Sequence, residues 1–404
     1  MHNSFFFRRG FLKLGLLSSA ALALTLSGCK SPESGTAQNS ASSSSSASTG
    51  VQGEEIVIGH FGSLTGNTAT FGKSTDNGIK MAFEEINAKG GVLGKKLKLV
   101  TEDDASKTEQ VPGVVQKLIN QSNVLALLGE VASSRSLAAA PLAQEAKVPM
   151  ISPSSTNPKV TEQGDYIFRT CFIDPFQGTV MAKFAKSKLK ATKAAVLTDS
   201  ANDYSKGLSE FFTAEWTKSG GKIVATASYI EGDKDFQSQL TKIKAANPDV
   251  IYVPGYYTEV GNIAVQARRL GIKQVLMGGD GWDSPKLFEV GKDAVQGCYF
   301  SNHYSAQSKA PKVVKFVTDY KAKYGAIPDA LAAVAYDAAY IVADAITRAG
   351  EADRTKLRDA LATTKDFAGV TGTISIDKDR NAVKPAVVLK VVGTEGQYVE
   401  TVNP

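Results

Sequence analysis

Two groups of hydroxyl side chains, Ser133 with Ser134 and Ser152 with Ser154, Ser155 and Thr156, each follow a short apolar run, at 124–128 and 148–151. Hydroxyls and free backbone N–H groups at the start of a helix hold small anions such as a carboxylate. Asn157-Pro158 after the second group suits a helix start, since Asn caps and Pro fits the first helical position. Farther along, Tyr204, Tyr256 and Asp280 also stand just past apolar runs, and Asp280 lies in G-G-D-G (278–281), where small residues permit close approach. One half of the chain thus offers hydroxyls and helix ends, and the other an acid and phenols. That pairing suits a zwitterion gripped without covalent bonds. Its carboxylate would meet Ser133 and the N–H groups near Ser154 and Thr156, and its ammonium Asp280 and a tyrosine oxygen. Full pairing is required, because an unpaired buried charge is strongly unfavourable.

Covalent chemistry finds little support. The chain has no G-x-S-x-G, no P-loop and no G-x-G-x-x-G, and His60 and His303 stand alone. Neither a metal cluster nor a Ser–His pair can be built from local spacing, and a hydrolase using Ser133 or Ser134 would lack a base. The expectation is a binding protein, not an enzyme, with no cofactor and no metal. His60, at a strand end, is expected to be packed and hydrogen-bonded. Glu130 and Arg135 flank the serine pair and are expected at a solvated helix end.

The elements that must position these residues alternate regularly. Strands at 55–60, 97–101, 124–128 and 148–151 are separated by helices at 74–88, 108–121 and 134–146. After Arg169-Thr-Cys-Phe-Ile-Asp-Pro175 the pattern restarts, with helices at 176–189, 204–218, 235–246 and 258–270. Between and after them come strands at 194–198, 222–228, 250–253, 274–277 and 297–301. Helix–strand alternation of this kind gives a parallel sheet covered on both faces, and neighbouring strands open their loops at one edge. Helices at 310–324, 330–349 and 354–362 and two last strands, 371–376 and 385–392, complete the chain. The fold class is α/β, with two doubly wound, Rossmann-like lobes and more than one crossing between them.

The first 28 of the 404 residues read as a leader. A basic stretch (R-R-G-F-L-K, 8–13) precedes an apolar run, 14–26, too short for a permanent span. The basic stretch fits either a twin-arginine export signal or an ordinary leader. Leu26-Ser-Gly-Cys29 resembles a bacterial lipoprotein cleavage box, with Cys29 as the lipidated residue. Residues 29–53 are Ser-rich, a flexible tether reaching roughly 25–30 Å. The expected location is therefore extracytoplasmic, with the chain anchored to a membrane by lipid and not spanning it. Removing 1–28 lowers the net charge from +6 to +3, too mild for a nucleic-acid partner. Cys171 and Cys298 could pair in an exported protein; two separate buried thiols are the expectation.

Seven stretches in order, I-G-H-F-G-S-L-T-G (58–66), F-E-E-I-N-A-K-G-G-V-L-G (83–94), P-M-I-S-P-S-S-T-N-P (149–158), F-R-T (168–170), D-Y-S-K-G (203–207), G-Y-Y-T-E-V-G (255–261) and G-G-D-G-W-D-S-P (278–285), resemble the type I periplasmic binding proteins of ABC importers. The likeness is to the branch handling leucine, isoleucine, valine and related amino acids. It implies two lobes joined by three hinge strands near 170–173, 299–302 and 375–377. Lobe 1 would comprise 54–171 plus 302–375, and lobe 2 172–301 plus 376–404. Ser133, Ser154 and Thr156 would take the α-carboxylate, Tyr204, Tyr256 and Asp280 the α-ammonium, and Phe71 would line the side-chain pocket. The implied partners are an amino acid and an ABC permease, with the protein a monomer. Members often carry Glu where Asp280 stands, so amides, urea or aromatic acids remain alternative ligands.

Overall fold

The computed structural model describes residues 50–404, so the leader, Cys29 and nearly all of the tether lie outside the described residues. The first sheet is built from β1 (Val51–Gln52), β2 (Glu55–Gly62), β3 (Lys96–Asp103), β4 (Ala126–Leu128), β5 (Met150–Ser152) and β6 (Ile167–Arg169). β2 lies between β3 and β4, then β5 and β6 follow, all parallel, with β1 folding back on β2 as an antiparallel stub. β2 is buried along almost its whole length, as a central strand with helices on both faces must be. Helices α1 (Ala69–Ala88), α2 (Val111–Asn120) and α3 (Ser133–Glu145) link these strands.

The second half contributes α4 (Asp174–Ser187), β7 (Lys193–Asp199), α5 (Asp203–Lys218), β8 (Lys222–Tyr229), α6 (Gln237–Ala246), β9 (Val250–Tyr252), α7 (Tyr257–Arg269), β10 (Val275–Gly278), α8 (Pro285–Gly291) and β11 (Tyr299–Asn302). The chain then forms α9 (Pro311–Tyr324), α10 (Ala330–Ala349) and α11 (Arg354–Ala362), followed by β12 (Phe367–Gly369), β13 (Gly372–Ile376) and β14 (Ala382–Val383). Finally β15 (Ala386–Val392) and β16 (Glu395–Val402) return to the second sheet, whose order is β16-β15-β11-β10-β9-β7-β8. Strands β11, β10, β9, β7 and β8 are parallel; β15 and β16 are antiparallel. The chain therefore passes between the two sheets three times, after β6, after β11 and after β14.

Local signals explain most boundaries. Asp329 caps α10, its carboxylate accepting the Ala332 N–H at 2.9 Å, and Gly350 ends that helix at φ 75°. α10 is long and apolar enough to cross a membrane, but it is buried against α1 and α11. The helix expected from residue 74 already starts at Ala69, so Phe71 lies in the first turn of α1. β16 was not expected. Its E-G-Q-Y-V-E-T-V sequence is largely polar and exposed, and its strand geometry comes from pairing with β15. Cys171 and Cys298 are both buried free thiols.

Candidate ligand-binding site

Loops at the carboxyl ends of the parallel strands of both sheets meet between the lobes, the edge where open α/β sheets carry ligands. Tyr204, in the first turn of α5, stacks on Tyr256, which precedes α7, with centroids 5.4 Å apart and planes 9° apart. Phe71 from the other lobe meets Tyr256 and Tyr257 edge-on, at 5.4 and 4.9 Å. The glycines around Asp280 serve this packing. A Cβ on Gly279 would come within 2.4 Å of the Tyr204 hydroxyl, so here the close approach belongs to a tyrosine of the chain itself.

Asp280 is buried and held on three sides. Its N–H donates to Gln177 Oε1 at 2.9 Å, and that oxygen also accepts from Ser301 Oγ at 2.7 Å. Tyr204 OH donates to Asp280 Oδ1 at 3.0 Å while accepting the Gly281 N–H at 3.2 Å. His303 Nε2 lies 3.0 Å from Asp280 Oδ2, and its ring stacks on Phe172 at 4.0 Å. Burial lowers the His303 pKa, and the nearby Asp280 charge opposes that shift. The solitary His303 of the sequence is thus a direct partner of Asp280. It stands one residue past β11, the same kind of position that singled out Asp280, and that was the available signal. Gln177, Phe172 and Ser301 carried none.

A small cavity remains between the lobes, about 10 Å³ of room for a water centre. It is lined by Phe71, Val131, Ser154, Tyr204, Tyr256, Asp280, Gly281 and Leu331. It brings together five of the seven residues singled out from sequence. Ser154 Oγ and Tyr256 OH are buried there without a hydrogen-bond partner in the protein. Ser133 and Thr156 are buried nearby but do not line it. Ser133 Oγ accepts the Asn157 N–H at 3.2 Å, and the Thr156 carbonyl accepts the Asp174 N–H at 2.9 Å. Asn157, as anticipated, caps the short helical turn Pro158–Gln163 through the Lys159 N–H.

Glu130 and Arg135 correct the sequence expectation. Neither is solvated: they are 0% and 2% exposed. Arg135 Nε lies 3.2 Å from Glu130 Oε2, and its Nη2 donates to Thr68 Oγ1 at 2.8 Å. Glu130 also accepts from Ser63 N–H, Ser63 Oγ and Ala132 N–H, and Ser63 Oγ reaches Asp104 Oδ1 at 2.8 Å. Burial and the Glu130 charge push Asp104 up to about 7. This network ties the loops after β2, β3 and β4 together, so the turn that carries Val131 and Ser133 is fixed from behind. His60, by contrast, is packed as expected, with Nδ1 2.8 Å from the Leu128 carbonyl.

The lobes are closed on each other. Asn67 Nδ2 donates to Glu259 Oε1 at 2.8 Å, and Thr70 Oγ1 and Ser284 Oγ are 2.8 Å apart. On another part of the rim Ser134 Oγ donates to Asp203 Oδ2 at 3.0 Å, and Asn157 Nδ2 to the Asp203 carbonyl at 2.8 Å. Among the described residues no group of His, Cys, Asp and Glu is arranged to hold a metal ion.

A family model described as periplasmic binding protein matches residues 55–397. The chain belongs to that family. Among solved structures, a leucine binding protein from Thermotoga maritima is 42% identical with a TM-score of 0.83, covering 86% of this chain and 99% of its own. A branched-chain amino acid transporter substrate binding protein from Streptococcus pneumoniae, solved in complex with isoleucine, is 38% identical with a TM-score of 0.82, covering 87% and 100%. An amino acid binding protein from Pseudomonas aeruginosa is 38% identical over 228 residues, which span 56% of this chain and 61% of that relative. This periplasmic binding protein has the two-lobed type I fold and falls in the branched-chain amino acid branch. Its family consists of extracytoplasmic substrate-binding proteins of ABC importers, which are not enzymes.

Proposed function

We propose that this periplasmic binding protein takes up an aliphatic amino acid, most simply leucine, isoleucine or valine, between its lobes and hands it to a membrane permease. The observation that carries the reading is the interlobe cavity, where Ser154 Oγ and Tyr256 OH lack partners and the Asp280 carboxylate forms the wall. The unpaired Ser154 hydroxyl suits a carboxylate, and the Tyr256 oxygen and a carboxylate oxygen of Asp280 have lone pairs left for an ammonium. Residues of both lobes wall the cavity, so entry and release require the lobes to part at the crossings and close again over the guest. The closed form is favoured by the ligand because only there does it touch both walls.

Calorimetric titration with leucine, isoleucine and valine tests this. Binding by the native chain, weakened at least about tenfold in Asp280→Asn, is expected, since a charge-assisted bond contributes about 1.5–3 kcal/mol. Unchanged affinity in that variant would remove Asp280 from the site. A second reading has its own support: both Asp280 oxygens already face Tyr204 and His303, an arrangement that suits ligands without an ammonium. Amides, urea or aromatic acids binding where the aliphatic amino acids do not would establish it. Lipid anchoring through Cys29 is part of the same proposal. Labelling with a radioactive fatty acid should tag the native chain and not Cys29→Ser, and an unlabelled native chain would exclude the anchor.

A further inference from the structure

A much larger cavity, about 800 Å³, lies where the chain crosses between the sheets. Its walls are the stretch 303–313 after β11, the turn joining β12 to β13, and parts of β15 and β16. The β12–β13 turn is fastened to α10, because Asp337 accepts the Val370 and Thr371 N–H groups at 2.7 and 2.8 Å. β15 and β16 belong to the second sheet. Relative movement of the lobes therefore changes the width of this cavity.

Its chemistry is one-sided. Lys309 and Lys312 line it, and no Asp or Glu is among the lining residues. The first turn of α9 opens on it, and Ala310 at the N-cap position offers no side-chain acceptor to that turn's N–H groups. Val387 and Tyr398 supply apolar wall. The volume is in the range of sites for small organic ligands, about 300–1,000 Å³. His303 begins the stretch that walls it; its side chain is fully buried behind that wall, with Nε2 3.0 Å from Asp280 Oδ2. The stretch that walls this cavity thus starts at the residue that grips the acid of the interlobe site.

We propose that this cavity is a second small-molecule site, taking a compact apolar or aromatic monocarboxylate, and that its occupant alters the affinity of the interlobe site. Occupancy itself does not depend on the function proposed above; the coupling does, since it needs an amino acid in the cleft. Linkage makes the coupling reciprocal: each ligand changes the other's affinity by the same factor.

Fluorine NMR with 4-fluorophenylacetate as probe, on the native chain with and without saturating leucine, tests both parts. Probe binding should persist with leucine present and weaken at least about tenfold in the Lys309→Glu, Lys312→Glu double variant. That variant should bind leucine normally in the absence of probe. In the native chain the probe should shift the leucine dissociation constant about fivefold or more, and the double variant should lose the shift. Absence of binding at millimolar probe, full displacement by leucine, or indifference to the charge reversal would each overturn the site. Probe binding with an unmoved leucine affinity would overturn the coupling. Failure of leucine to bind at all would count against the proposed function instead, and the charge-reversal result would still decide the site.

Discussion

Asp174 begins α4 directly after the first crossing, and burial pushes its carboxyl up to about 8, with the Asp280 charge adding to the shift. A carboxyl that holds its proton more tightly when folded than when unfolded makes the native state bind more protons, so stability falls as pH rises. For Asp174 that decline runs from its ordinary value near 4 up to about 8, then levels off. Thermal melts between pH 5 and 8 should show a falling midpoint, and Asp174→Asn should flatten the slope; a slope untouched by the variant would refute the assignment. At this scale the sequence was legible where a side chain follows a strand end: that rule picked Tyr204, Tyr256 and Asp280, which line one cavity. Burial of Glu130 and Arg135 was not legible. Their partners, Ser63, Thr68 and Asp104, sit in loops after β2 and β3, and a single stretch of sequence does not display which loops converge.

Helices carried their own boundaries more openly than strands did. The limits of α10 followed from Asp329, Gly350 and an unbroken Ala-rich interior. β16 had no such marks, because a polar edge strand takes its shape from its neighbour and not from its own hydrophobic pattern. Packing between elements was equally hidden. α1 and α10 approach so closely that a Cβ on Gly78 would stand 2.2 Å from the Ala332 carbonyl oxygen. Gly78→Val must push the two helices apart, and overpacking of this kind destabilises by about 1–3 kcal/mol. Urea denaturation should reveal a lowered midpoint for that variant, whereas an unchanged midpoint would mean the helices yield without strain.

For the whole molecule the doubly wound lobes were legible from helix–strand alternation, while the closed rim was not, since its contacts join residues such as Asn67 and Glu259 across the cleft. Removing two of these bridges with Asn67→Ala and Ser134→Ala should shift the ligand-free chain toward the parted form. Small-angle scattering should then show a larger radius of gyration that shrinks on adding leucine, and an unchanged radius would assign closure to other contacts. The walling of one cavity by both lobes, through Phe71, Ser154 and Asp280, has a kinetic consequence. A molecule that admits its guest only while gaping captures it at a rate set by how often it gapes, and the measured affinity is diluted by that fraction. Substitutions on the rim that spare the recognition groups would thus tune the solute concentration at which capture begins while leaving the choice of solute intact.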